Sequence, residues 1–266
     1  YFAIALGMCI GIEPSKVKKL GLNIEIDSDI PVACGLGFSA SFSSCLSALI
    51  LILNEKIQPE LFNSFYPLIN RWALLFENFF HGKSSGMDNA CSVYGGLIAY
   101  KKGSFKHVLC SDHFNKIKFL IIETGKKKST ALAVKTITNL RLKHQAIIEN
   151  IFSTIGIVTE SFVDVVENTE MKKEDFKKNI RTLLKVNQGC MVALDLDCHE
   201  SNSISLICQK HGFVNKITGA GAGGVTFIMM CQEDSIEDYE ALRKEISFNG
   251  YKNYEVQSTC AGIILK

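Results

Sequence analysis

The sequence predicts an α+β protein of between one and two domains, and three observations carry that expectation. The chain has 266 residues, which at roughly 150 residues per domain exceeds one average domain and falls short of two. Thr130–Val166 and Glu174–Leu194 read as helices, whereas strand-like runs gather at Ile117–Glu123 and beyond Val225. The hydrophobic share is 47% and the charged share 21%, enough to build a core and too apolar for a disordered chain. The formal net charge of +2 gives no bulk electrostatic drive toward nucleic acid.

In chain order, Tyr1–Ile12 has the apolar density of a packed helix, entered midway. Leu20–Asp27 alternates apolar and polar residues, the period of a half-buried strand. A glycine–serine loop leads into a helix over Ser39–Asn54. Leu61–Phe80 is apolar at helical spacing and ends in a loop over His81–Asp88, followed by a short helix. Gly96–Tyr100 reads as a strand closed by a turn at Lys101–Gly103, and the polar break Ser111–Asn115 divides residues 1–113 from 114–266. Ile117–Glu123 is a buried strand, followed by the basic turn Gly125–Lys128. A helix over Ser201–His211 should stop at Gly212, where glycine accepts the left-handed backbone that closes helices. The tail predicts a strand over Val225–Cys231, a helix over Ile236–Ser247, and strands over Tyr254–Ser258 and Gly262–Leu265.

The ten cysteines show neither paired spacing nor a CxxC, so neither a disulfide scaffold nor a zinc site is expected. They read as reduced thiols, mostly in the core, in a cytoplasmic protein without a visible signal peptide. The uncharged run between Asp29 and Glu55 is interrupted by Pro31, Gly35, Gly37 and several serines. A glycine-rich loop feeding a buried helix accounts for it better than a membrane span, and no membrane association is expected.

Three segments carry chemistry. In the first, from Pro31 to Ser41, Gly35 and Gly37 permit close backbone approach, and the following helix aims unsatisfied N–H groups at the loop. That arrangement suits a polyphosphate, although no Gly-Lys-Ser/Thr closes it as in a Walker loop; a simple turn with a serine cap is the bland alternative. In the second, Glu77 stands near the end of an apolar helix, where a carboxylate needs a partner or a metal. His81, Gly82, Ser84, Ser85, Gly86, Asp88 and Asn89 follow. Asp88 is placed to act as a base or to hold a divalent ion; it could equally cap the next helix. The third runs from Lys216 through Gly219, Ala220, Gly221, Gly223 and Gly224. It contains a formal G-x-G-x-x-G but continues into a strand, so a dinucleotide fold is not expected. What remains is a loop able to approach a ligand or another loop closely.

In this order and spacing, the three segments resemble the GHMP small-molecule kinases, and within them the branch that phosphorylates mevalonate. The first is similar to P-x-x-x-G-L-G-S-S-A, the second to H-G-x-P-S-G-x-D-N with an acidic residue eleven positions before the Asp, and the third to K-x-T-G-A-G-x-G-G. The resemblance implies an S5-domain-2-like N-terminal domain and a ferredoxin-like C-terminal one. It implies Asp88 as the catalytic base toward a primary alcohol, and Ser39 and Glu77 as ligands of Mg²⁺. Ser28, Ala33, Cys34, Gly35, Leu36, Gly37, Phe38 and Ser39 would surround ATP, and Ser85 and Thr130 would face the substrate. Gly219, Ala220 and Gly221 would shape the pocket, and the family allows a homodimer.

The sequence departs from that pattern at three positions: Ala33 stands for a usual Gly, Phe38 for a usual Ser and Ser84 for a usual Pro. The family's K-x-x-L-x-G-E-H segment has no counterpart before Gly35, so the N-terminal domain is expected to be incomplete. Two alternatives therefore stay open: a GHMP kinase acting on phosphomevalonate, homoserine or galactose, and a non-catalytic GHMP fold that binds a metabolite or regulates a partner.

Overall fold

The computed structural model describes residues 23–30, 35–101, 103–127 and 129–266. Its chain divides into two compact units. Among the described residues, the first takes in 23–30, 37–107 and 259–266 and the second takes in 35–36 and 108–258. The expected helix over Tyr1–Ile12 lies outside the described residues.

The first unit is led by helix α1 (Phe38–Leu53). A 3₁₀ helix (Pro59–Phe65) precedes α2 (Tyr66–His81), where the sequence predicts one continuous helix. Pro67 explains the division: its ring lacks an N–H and fits the first turn of an α-helix, so the chain starts afresh there. Helix α3 (Met87–Tyr94) then leads to a two-stranded sheet, β1 (Leu97–Lys101) and β2 (Ser104–Val108). Ala48 and Leu51 of α1, Ile69 of α2 and Val93 of α3 meet Ile57, Phe62 and Ile263 in one core cluster. Residues 23–27 form no strand, and Ile26 is exposed, so the predicted Leu20–Asp27 strand is absent over its described part. Alternation supplies a face, but a strand also needs an edge to pair with.

The second unit starts with a single-turn helix, α4 (Asp112–Asn115), where a polar break is predicted. Its Phe114 is buried and turns the segment inward. Next come β3 (Lys118–Glu123), α5 (Thr130–Lys143), α6 (Gln145–Glu167), α7 (Lys173–Ala193) and α8 (His199–Lys210). Strands β4 (Asn215–Ile217) and β5 (Val225–Met230), helix α9 (Ile236–Phe248) and strand β6 (Asn253–Gln257) complete the unit. The sheet order is β4-β5-β3-β6 and every pairing is antiparallel. A strand, helices, two strands, a helix and a strand in that spatial order make the ferredoxin-like arrangement. Leu120, Ile122 and Ile228 pack against Ile204 and Cys208 of α8 and Leu242 and Ile246 of α9. On the alternate register, Phe119 meets Phe114 and Phe227. Gly212 has φ +75° after α8, the stop the sequence predicts.

The predicted strand over Gly262–Leu265 does not form. Ala261 makes a single bridge to Gly95, and the tail is held otherwise as irregular chain. Helix α1 spans 16 residues, short of the length a bilayer requires. Among the described residues, α6 alone is long and apolar enough to cross a membrane, by length and composition. It packs against α5 and α7. All eight described cysteines are free, but only Cys198, Cys208 and Cys231 are buried. The core-thiol expectation therefore holds for those three; Cys45, Cys91 and Cys260 are exposed. Burial pushes the Cys208 and Cys231 thiols up to about 12, which keeps them protonated and inert.

Candidate active site

The loop before α1 uses its glycines as the sequence implies. Gly35 and Gly37 have φ of +79° and +76°, a region closed to most side chains. Gly37 is the N-cap of α1, and no side chain caps that end among the described residues. The first-turn N–H groups and the positive end of the helix dipole are thus presented toward whatever anion the loop receives.

In the first two turns of α1, Ser39 and Ser43 stand four residues apart on one helix face. Both donate to the same oxygen of Glu77, on α2: Ser43 Oγ at 2.9 Å, and Ser39 Oγ through a shorter contact. Glu77 is buried, so these hydroxyls stand where water would otherwise solvate a carboxylate. Ser44 and Ser47 donate to the carbonyls of Ala40 and Ser43, so these two hydroxyls are satisfied within their own helix. The structure places Ser39 and Glu77 in contact and adds Ser43. Its signal in the sequence was the four-residue spacing from Ser39.

Asp88 lies in the first turn of α3 and is exposed, its chain started by Gly86 at φ +85°. A Cβ built on Gly37 would stand 3.8 Å from Asp88 Cβ, so Asp88 and Gly37 adjoin within the first unit. Its neighbour Asn89 is fully buried, and neither side-chain amide atom has a hydrogen-bond partner among the described residues, which is rare for a buried amide. Ser85 is exposed; its Oγ accepts from Met87 N at 3.3 Å, and its carbonyl accepts from Tyr100 Oη. Tyr100 thereby fixes the loop between α2 and α3, a contact the sequence did not signal.

A groove of about 290 Å³ runs along α1, lined by Ser28, Phe38, Ser41, Phe42 and Leu46 among others. Two residues predicted at nucleotide positions, Ser28 and Phe38, thus share one wall system. Ala33 and Cys34 lie outside the described residues; Gly35 is exposed and Leu36 half-buried.

In the second unit, Thr130 is the exposed first residue of α5, while Ser129 is its N-cap and accepts from Leu132 N at 3.2 Å. The Gly219–Gly224 loop approaches other loops closely. A Cβ on Gly221 would fall 2.4 Å from Leu196 O, and one on Gly223 would fall 2.9 Å from the carbonyls of Lys126 and Lys127. Gly224 N donates to Lys126 O and Ala222 N to Leu196 O. Gly221 and Gly223 are buried by this packing, whereas Gly219 is exposed and Ala220 half-buried.

Among the described residues no three His, Cys, Asp or Glu side chains gather as a metal cluster. The Ser39–Glu77 pair offers hard oxygen donors, the chemistry Mg²⁺ prefers when it keeps most of its shell for phosphate and water.

Residues 5–96 match the family described as GHMP kinases N terminal domain. The mevalonate kinase of Candida albicans is 29% identical over 269 residues, covering 92% of this chain and 60% of its own length. Among solved structures, Methanococcus jannaschii mevalonate kinase superposes with a TM-score of 0.72 at 23% identity, covering 96% of this chain and 74% of its own. L. major mevalonate kinase in complex with R-mevalonate gives 0.69 at 22%, covering 83% and 65%. The chain spans between 46% and 64% of the length of the curated mevalonate kinases it is compared with.

Proposed function

We propose, from the GHMP kinase fold of this chain and its similarity to mevalonate kinases, that the protein transfers the γ-phosphoryl group of ATP to the primary hydroxyl of mevalonate. The observation that carries the reading is the convergence, in one unit, of an uncapped helix N-terminus, a buried carboxylate bridged by Ser39, and Asp88 beside Gly37.

Each residue then has a task. The backbone of Gly35, Leu36 and Gly37 and the first turn of α1 receive the triphosphate, where the helix dipole favours negative charge. Ser28, Ala33, Cys34 and Phe38 complete the nucleotide side, with Phe38 on the wall of the α1 groove. Ser39 Oγ and the Glu77 carboxylate would hold Mg²⁺, which when bound neutralises charge between the β- and γ-phosphates. Asp88 takes the proton of the attacking hydroxyl and orients it in line, the main demand of a phosphoryl transfer. Ser85 and Thr130 are each candidates for substrate contact, and Gly219, Ala220 and Gly221 for a pocket loop, as the family resemblance implies. Residues 1–113 and 114–266 are the two domains on this reading, and the protein works in the cytoplasm.

The same reading includes a homodimer. It is supported by large apolar side chains that α5 and α6 leave exposed, among them Leu142, Ile147 and Ile157.

ATP consumption by the protein, measured with mevalonate, phosphomevalonate, homoserine and galactose in turn, tests the assignment. Mevalonate should be preferred. Preference for another of the four overturns the substrate while sparing the kinase reading. Asp88→Asn and Asp88→Ala should both abolish turnover, and normal turnover in either removes Asp88 from its role.

A further inference from the structure

A second cavity, of about 180 Å³, lies in the other unit between α6, α7 and β4. Val158 and Phe162 of α6 and Leu183 and Leu184 of α7 form apolar walls. Thr159, Asn187 and Lys216 supply its polar lining, and none of the lining residues is acidic. Lys216 is unusual in this setting. Its Nζ donates to Ile217 O at 2.8 Å and stands 6.0 Å from the centre of the Phe227 ring. An ammonium carries three N–H donors, and one acceptor is accounted for. Burial pushes its amine down to about 8, so at neutral pH it is still mostly charged and incompletely solvated. On the same strand residue, Ile217 N donates to Gln188 Oε1 at 2.9 Å, and Gln188 Nε2 is buried with no acceptor. Donors therefore outnumber acceptors around β4.

We infer that this cavity binds a small monocarboxylate with an apolar body, its oxygens on Lys216 Nζ and the Asn187 amide and its body against Val158, Phe162, Leu183 and Leu184. The volume is comparable to that of a ~150 Å³ cavity that accepts benzene, so a single ring or a short alkyl chain fits. A cationic ligand would meet Lys216 without a counter-charge. A phosphate would have to shed a strong hydration shell against four apolar walls. A neutral hydrocarbon would leave the lysine as unsatisfied as before. A carboxylate provides both the acceptor and the charge that this environment lacks, and charge-assisted hydrogen bonds are the strong ones.

Calorimetric titration of benzoate and hexanoate into the protein, with benzyl alcohol as the uncharged match, tests the inference. Both carboxylates should bind, at least tenfold more tightly than the alcohol. In the unmodified protein, benzoate should shift the ring resonances of Phe162 and Phe227. Lys216→Gln should weaken benzoate at least tenfold, and Leu184→Phe, which fills the cavity, should remove binding while leaving Lys216 in place. Asn187→Leu, at the half-buried rim, gives a milder variant that should weaken benzoate several-fold even if the core variants fold poorly. Equal affinity for benzyl alcohol, benzoate binding that survives Leu184→Phe, or no benzoate binding up to about 10 mM each overturns the inference.

Discussion

Glu77 is a buried carboxylate whose hydrogen bonds come from two hydroxyls on a neighbouring helix, and the two are not equivalent. Ser39 sits in the first turn of α1, beside the glycine loop, whereas Ser43 lies a full turn deeper and is itself buried. Ser43→Ala should therefore act on stability. A hydrogen bond to a charged group contributes about 1.5–3 kcal/mol, and urea unfolding should show a loss of about that size. Ser39→Ala should act on function, raising the Mg²⁺ concentration needed for half-maximal turnover with a smaller stability change. Equal stability losses and no change in Mg²⁺ dependence would assign Ser39 the same structural role as Ser43. Glu77 and Asp88 were legible in the sequence because a carboxylate on an apolar helix and an Asp after a glycine loop both demand a reason. Asn89 was present in the motif, but its complete burial without a partner depends on how three helices meet and is invisible in a linear pattern.

At the scale of elements, the second unit is tied by two carboxylates. Asp234, in the turn between β5 and α9, takes ion pairs from Lys177 and Arg181 of α7 and also accepts from Cys231 N at 2.7 Å. Asp234→Ala should cost about 2–3 kcal/mol, below the ~3–5 of a fully buried pair. The discount reflects the two cations, whose side chains remain 24% and 26% exposed and can turn to water. Thermal unfolding of the variant measures it; a loss under about 0.5 kcal/mol would reduce the clamp to an ordinary surface pair. Glu245 of α9 accepts from Lys210 and His211 at the end of α8, both at 2.7 Å. Its carboxyl is held below the ordinary value of 4.5, chiefly by the hydrogen bond from Lys210 and then that from His211. A depressed carboxyl stabilises the fold above its unfolded value and ceases to do so as pH falls through the lower folded value. Stability should therefore drop below about pH 4.5, and Glu245→Gln should flatten that limb. A slope unchanged in the variant would show that Glu245 contributes nothing to it. Helices were read well because their apolar period repeats over many turns; β4, with three residues, offers no period to read. The strand predicted over Gly262–Leu265 failed for another reason: Ile263 alone is buried, in a tertiary cluster, while Ile264 and Leu265 are exposed, and composition alone cannot tell that from a ladder.

Across the whole molecule, the chain leaves the first unit at His107, builds the second, and returns at Thr259 to complete the first. That return is specified by four contacts within the first unit. Gly96 N donates to Cys260 O at 2.9 Å, Ile263 N to Val93 O at 3.2 Å, and Tyr66 Oη to Ile263 O at 2.8 Å. The fourth is a glycine-to-glycine approach, where a Cβ on Gly95 would lie 2.2 Å from Gly262 N and one on Gly262 would lie 2.2 Å from Val93 O. Ile263 joins the same cluster as Ile69 and Val93, so the last residues described contribute core to an element laid down about 170 positions earlier. Such a late closure makes a sharp expectation. Gly262→Ala cannot be accommodated by rotating a side chain, because the atoms it meets are backbone. It should separate the tail from α3 and expose the Gly96 amide, while the sheet of the second unit keeps its own hydrogen bonds. Amide exchange should then accelerate by at least tenfold at Gly96 and Ile263, equivalent to about 1.4 kcal/mol of local opening, with Leu120 and Ile122 unaffected. Ile263→Asp, which introduces an uncompensated charge into the cluster, should give the same pattern by a different route. Uniform acceleration in both units would contradict local closure and show that the tail governs the stability of the entire chain.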